Sequence, residues 1–274
     1  MNRLVTLRHR VSDERSVNQL RLAVRLAQRQ VAQKYRESLF GGLWALLNPL
    51  LLLGIYWFVF SEVFDSRWTG PGEDRHYALL IFSGLIFFTL YAEIVNGSTF
   101  LVQSNAMLIK RTTVSARVIP LASSLASTFT FALNLIPFLL MFVILERSAP
   151  PASLLVLPFV VLPLLVMSTG IAFILASVSA YFRDLQQVVP LINTAILFVS
   201  PIFFPSGRLP GPIDTAVRYL TPLVIPLDAS KRVMFLNEWP EPGPMITYTI
   251  IAVIVCAFGW AVYGRASRGF ADVV

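Results

Sequence analysis

Charge is what this sequence has least of. Only 14% of its 274 residues are Asp, Glu, Lys or Arg, against about 25% in soluble domains. So small a fraction cannot cover a water-facing surface, which excludes a soluble enzyme and a disordered chain. A single cysteine, Cys256, excludes a disulfide-stapled fold, and two histidines, His9 and His76, leave no Cys/His metal cluster. No G-x-x-x-x-G-K-[ST] occurs, so the chain has no P-loop with which to hydrolyse ATP. G-x-S-x-G and H-E-x-x-H are missing too. No catalytic residue and no metal ligand is expected.

What is present is apolar. Hydrophobic residues make up 56% of the chain, and mean hydropathy is +0.69. Several apolar runs reach roughly 18 residues or more, enough to cross a bilayer core of about 30 Å. A helix satisfies its own backbone groups in lipid, so the fold class is an all-α integral membrane protein. Six transmembrane helices are expected, near 43–63, 78–101, 119–145, 153–180, 187–205 and 246–264. Pro190 and Pro201 interrupt the fifth. The organisation is a basic N-terminus over 1–42, a membrane domain over 43–264 and a tail over 265–274. A long polar stretch precedes the first span, so no cleavable signal peptide is expected.

The net charge is +7, a sum that by itself points towards nucleic acid. Placement points elsewhere. With both termini on one side, fifteen of the 22 basic residues fall on that side, nine of them before the first span. By the positive-inside rule that side is cytoplasmic. The charge thus reads as a topology determinant in a membrane protein with both termini inside.

Residues 17–36 form a basic amphipathic helix. Val17, Leu20, Val24, Ala27, Val31 and Tyr35 share a face, widened by Leu22 and Leu26, while Arg21, Arg25, Arg29 and Gln33 line another. Such a helix lies in the headgroup plane. It is either an interfacial anchor or a place where a phosphorylated lipid head group docks. Between spans five and six, the proline-rich segment 206–245 holds apolar stretches too short to cross. It reads either as re-entrant helices or as an outer loop packed on helix ends. Glu93 is the main ionisable group within a span. It can serve function, or it can simply meet Asn96 or a basic partner at the interface. Trp44, Tyr56, Trp57, Phe58 and Phe60 in the first span, and Phe82, Phe87, Phe88 and Tyr91 in the second, are suited to stacking on sugar rings or to ordinary packing.

Several segments taken together resemble a known family. Tyr35 to Trp44, followed by Asn48-Pro49, resembles the entry to the first span of type-2 ABC exporter permeases, the O-antigen and teichoic-acid exporters among them. Asn105 with Leu108-Ile109-Lys110-Arg111, ahead of Pro120, resembles their cytoplasmic segment between spans two and three. Tyr181-Phe182-Arg183-Asp184-Leu185 resembles their loop between spans four and five. Ser200-Pro201-Ile202, Phe204-Pro205 and Leu209-Pro210 resemble the segment after span five. The matches run in family order from about residue 20 to 240.

The resemblance implies the transmembrane subunit of an ATP-driven exporter of a lipid-linked polysaccharide, working as a homodimer with two separate nucleotide-binding ATPase subunits. ATP and Mg would be bound by those partners, and no cofactor by this chain. Asn105, Leu108, Ile109, Lys110 and Arg111 would couple to the ATPase, with Arg183 and Asp184 in the neighbouring cytoplasmic loop. Arg29, Lys34 and Arg36 would receive the pyrophosphate of a polyprenyl carrier. Trp44, Tyr56, Trp57, Phe60, Phe87, Phe88 and Tyr91 would line the glycan path. Ser200, Pro201 and Pro222 would belong to outer gate helices. The sequence departs from the family's pattern at Thr112–Arg117, where a F-P-[RK] motif is common, and at Thr221-Pro222-Leu223, where N-P-L is common. A permease for a drug or small lipid is the near alternative. A polyprenyl-lipid glycosyltransferase or acyltransferase would require an acidic or histidine cluster, and the inner loops offer only Asp184 with Glu37. A non-catalytic membrane scaffold is the remaining alternative.

Overall fold

The computed structural model describes residues 19, 21–34, 43–59, 76–111, 115–207, 210–211, 215, 217–218 and 221–270, with the backbone alone for 45, 46, 56 and 111. Arg36 and Phe60 lie outside the described residues, as do the side chains of Tyr56 and Arg111.

Helix α1 covers 21–34. Ala23, flanked by Leu22 and Leu26, packs on Val118 and Ala122, while Arg21, Arg25 and Arg29 stay exposed. The buried face differs from the expected one, because Val24 is 41% exposed. The reason is steric. Small alanines let the helix approach the neighbouring helix closely, so its buried stripe runs through Ala23 and Ala27 rather than through the bulkier valine.

The second helix, α2 (Trp44–Trp57), tolerates Pro49 in its second turn and exposes Leu51, Leu52 and Ile55. At the centre lies α3 (Tyr77–Ser98), with fourteen of its 22 residues buried. It touches α2 and the later helices α6, α7, α8 and α9. The hydroxyls of Ser83 and Ser98 donate to their own helix at Leu80 O and Val95 O, so neither is a bare donor in an apolar setting. Two short helices follow, α4 (Leu101–Ser104) and α5 (Ala106–Arg111). The chain then returns through α6 (Val118–Glu146) and, after a 3₁₀ turn at Ala152–Val156, through α7 (Leu157–Ser179).

Helix α8 (Leu185–Val199) is shorter than the expected fifth span. It ends ahead of Ser200-Pro201, because a residue before proline is pushed out of the helical region and Ser200 has ψ 151°. The segment after it contains α9 (Val224–Lys231) and a π-helical turn at Arg232–Leu236, both largely buried. The last long helix is α10 (Pro242–Ala266).

Helices α7 and α10 make the closest contact. A Cβ on Gly170 would lie 2.7 Å from the backbone of Cys256, and one on Gly259 would overlap the Gly170 carbonyl oxygen. Small residues at a helix crossing bring backbones together where lipid supplies no hydrophobic drive for association.

Among the described residues, four helical stretches are long and apolar enough to cross a membrane: Tyr77–Ser98, Val118–Glu146, Ala152–Ser179 and Pro242–Ala266. With 14 and 15 residues, α2 and α8 reach only about 21–23 Å. Apolar side chains face outward on α6, α8 and α10, including Ile136, Leu140, Leu191, Phe198, Ile250 and Ile254. Patches of this extent suit lipid or another helix rather than water.

Candidate functional site: the basic end of the bundle

The end of α3, the start of α6, the end of α7, the start of α8 and the end of α10 gather at one end of the bundle. Phe173, Tyr263 and Phe270 form its aromatic centre, with ring centroids 5.4 and 5.3 Å apart. The Tyr263 hydroxyl donates to Ala116 O at 3.3 Å, and the Tyr181 hydroxyl to Ala266 O at 3.3 Å. The loop before α6, the α7–α8 turn and the tail are therefore joined. Arg117 lies with its guanidinium 4.7 Å from the Trp260 ring centre. It fits there because residue 264 is glycine, where a Cβ would collide with it.

Against this end rest α4 and α5. Leu101 and Val102 belong to the same apolar cluster, and Leu108 and Ile109 pack onto it. Met107 and Lys110 face outward, Met107 65% exposed. Asn105 holds the two short helices together. Its side-chain amide donates to Leu101 O at 2.9 Å and so caps α4, while its carbonyl accepts from Ile109 N at 3.0 Å and starts α5. The result is a two-helix corner glued by one face and open on the other. Arg183 and Asp184 are exposed at the α7–α8 turn. Gln186 in α8 donates to Gln103 of α4 at 2.8 Å, and Asn193 to Asn96 of α3 at 2.6 Å. Displacement of α4 therefore has a direct polar connection to α8.

Lys34, at the end of α1, donates to Glu93 of α3 at 2.7 Å. Of the two partners open to Glu93, the structure thus selects the basic one, while Asn96 turns to Asn193. Arg29 is exposed earlier on α1. Beside the pair lie two cavities. One of about 250 Å³ is lined by Gln30, Ser123, Ser127 and others of α1 and α6. Another of about 440 Å³ runs along α3 and is lined by Trp44, Asn48, Phe82, Phe88, Thr89, Asn134 and others.

The expected path aromatics divide accordingly. Trp44 and Phe88 reach the larger cavity. Phe87 and Tyr91 are buried in the bundle, Phe87 edge-on to Phe131 at 5.3 Å. Trp57 is 37% exposed near the end of α2.

At the opposite end, the residues after α8 are tied to α9. Lys231 donates to Pro201 O at 2.5 Å, Ser206 to Asp228 Oδ1 at 2.5 Å, and Tyr248 of α10 to Pro222 O at 2.8 Å. Sequence reasoning does not find these three anchors. The signal that could have pointed to them is Lys231, a cation set beside Arg232 in the largely apolar stretch from Val224 to Leu236. Ser200 is buried, between α8 and this turn. Lys231 and Asp228 lie outside the four long spans. Burial pushes the Lys231 ammonium down to about 8, against the raising effect of Asp228. Burial also pushes the Asp228 carboxyl up, offset in part by the Ser206 hydrogen bond and by the charges of Lys231, Arg218 and Arg232. A cavity of about 260 Å³ adjoins these groups.

Residues 21–235 match the profile described as the ABC-2 type transporter, a stretch that takes in α1, the two-helix corner and α9. The chain belongs to the ABC-2 type transporter family. It is a multi-pass membrane protein and a transport permease. This transporter chain is 28% identical over 254 residues to the O-antigen export system permease protein RfbA of Klebsiella pneumoniae, covering 92% of this chain and 95% of that one. It is 24% identical to the protein of the same description from Myxococcus xanthus, with the same coverage. The polysialic acid transport protein KpsM of Escherichia coli is 25% identical over 240 residues, covering 86% of this chain and 89% of its own.

Proposed function

We propose that this chain is the permease subunit of an ATP-driven exporter that moves a lipid-linked polysaccharide across the bacterial plasma membrane. The observation that carries the reading is the near full-length similarity to permeases named for O-antigen and polysialic acid export. The two-helix corner α4–α5 supports it, since an exposed face fixed to the helix ends is what a soluble ATPase can push against.

In this reading α2 and α8 complete six spans with the four long helices, both termini are cytoplasmic, and two copies assemble with two ATPase subunits that bind ATP and Mg. Arg29, Lys34 and Arg36 receive the carrier's pyrophosphate, to which clustered cations pair strongly. Trp44, Tyr56, Trp57, Phe60 and Phe88 line the sugar path, and the buried Phe87 and Tyr91 support it. Ser200, Pro201 and Pro222 flank short outer gate helices, of which α9 is one. Support for α9 as a gate comes from its length, about 12 Å, too short to cross.

Deletion of the gene, followed by mass spectrometry of lipid-linked glycans, tests the substrate. Surface polysaccharide is expected to disappear and its lipid-linked precursor to accumulate inside; unchanged surface polysaccharide refutes the reading. Charge reversal in the corner tests the coupling role. Lys110→Glu with Arg111→Glu is expected to lower co-purification of the ATPase subunit while leaving the amount of folded permease unchanged. Lys110 is solvent-exposed, and surface changes of this kind shift stability by about 0.5 kcal/mol or less. Wild-type co-purification would remove α5 from the interface.

A further inference from the structure

Lys34, Glu93 and Thr130 line both the smaller cavity beside α1 and the larger one beside α3. They form the wall between two spaces of about 250 and 440 Å³. The first has a lining of small and polar side chains such as Gln30, Ser123 and Ser127. The second follows α3 from Glu93 to Phe82, about 16 Å along the helix axis. Within this shared wall, Lys34 and Glu93 are held together by the 2.7 Å ion pair. Its side chains are 49% and 27% exposed, and a pair so placed adds little to stability.

We propose that this ion pair is an anion-operated latch and that Glu93 is the specificity-determining residue. The proposal rests on the reading of a phosphate-bearing lipid carrier given above. A phosphate group arriving along α1 carries more charge than one carboxylate and offers more acceptor oxygens. It takes the Lys34 ammonium from Glu93 and joins the two cavities. A neutral head group cannot compete with the carboxylate, and the wall stays closed to it. Until the anion arrives, Glu93 both holds Lys34 across the opening and keeps that cation from binding weaker ligands.

The test reads opening without reading export. Asn134 lines the larger cavity and not the smaller. The full-length variant N134C, with Cys256→Ser to remove the native thiol, is placed in phosphatidylcholine vesicles and treated with a charged, membrane-impermeant thiol reagent. Labelling is expected to be slow. Polyprenyl phosphate in the vesicles should speed it about fivefold, the ratio that breaking an exposed pair sets on the open population. Uncharged polyprenol should leave it slow. Inorganic phosphate in solution is a separate arm: acceleration there as well assigns the latch to phosphate in general, and acceleration by the lipid alone assigns it to the carrier. Glu93→Gln in the same background should label fast with no anion, at unchanged elution on size-exclusion chromatography. Equal labelling with and without both phosphates, or slow labelling in the Glu93→Gln variant, overturns the latch. If deletion instead leaves surface polysaccharide intact while phosphate still opens the wall, the substrate reading fails and the latch stands.

Discussion

Gly170→Leu is expected to give little folded protein, and Gly259→Ala a protein with a much lower melting temperature in detergent. At Gly170 even the first side-chain atom falls 2.7 Å from the Cys256 backbone. Backbone, unlike a flexible side chain, cannot swing aside, so α7 and α10 must separate along their whole contact. Overfilling a packed core costs about 1–3 kcal/mol and occasionally more. The leucine variant belongs at the top of that range because both helices must shift. Gly259→Ala is milder in volume, yet its methyl group meets both the Gly170 carbonyl oxygen and Phe173 Cβ, the latter at 3.1 Å. Gly54→Ala in α2 is the control. Nothing lies within 4 Å of its Cβ position, so alanine should be neutral or should stabilise the helix by about 0.5–1 kcal/mol. Thermal unfolding of the three purified variants decides the matter. Wild-type stability of Gly170→Leu would mean that α7 and α10 do not cross at this point.

The triple replacement of Arg29, Lys34 and Arg36 by alanine should abolish surface polysaccharide without unfolding the permease. Two magnitudes separate function from scaffold. Arg29 is exposed and the Lys34–Glu93 pair is partly exposed, so together they support the fold by about 1 kcal/mol or less. A hydrogen bond from a charged donor to phosphate is worth about 1.5–3 kcal/mol. Losing two or three of them removes about 3–9 kcal/mol and weakens carrier binding by at least about a hundredfold. Expression, melting temperature and ATPase pairing should therefore stay near wild type while export falls below detection. Normal surface polysaccharide in the triple variant would take these three residues out of the carrier site. Loss of folded protein would instead assign them to holding α1 on α6.

Glu93 illustrates where sequence reading ends. Its presence within an apolar span is evident from the sequence, as is its candidate partnership with a base at the interface. Which base it meets depends on α1 folding back over α6 so that Lys34, 59 positions away, reaches α3. No local spacing encodes such a contact. Val24 makes the same point on a smaller scale. Helical periodicity places it with the buried residues, but the crossing with α6 is governed by the size of Ala23 and Ala27. Asn105 is legible as a motif residue, and the structure adds a local reason for it, the cap on α4.

The sequence by itself determined that the chain is an α-helical membrane protein, which end of it is basic, and to which family it belongs. These follow from bulk hydropathy and the distribution of lysine and arginine, properties that survive without knowing any contact. Motifs in order along the chain are of the same one-dimensional kind. Only the tertiary structure decided that Gly170 and Gly259 let two helices touch, that Lys231 and Tyr248 hold the carbonyls of Pro201 and Pro222, and that one ion pair borders two cavities at once. Each of these joins residues far apart in sequence through steric fit or a single hydrogen bond. Inside lipid such fits, rather than hydrophobic patterning, choose helix partners, because nearly every face of these helices is apolar and the pattern no longer distinguishes one from another.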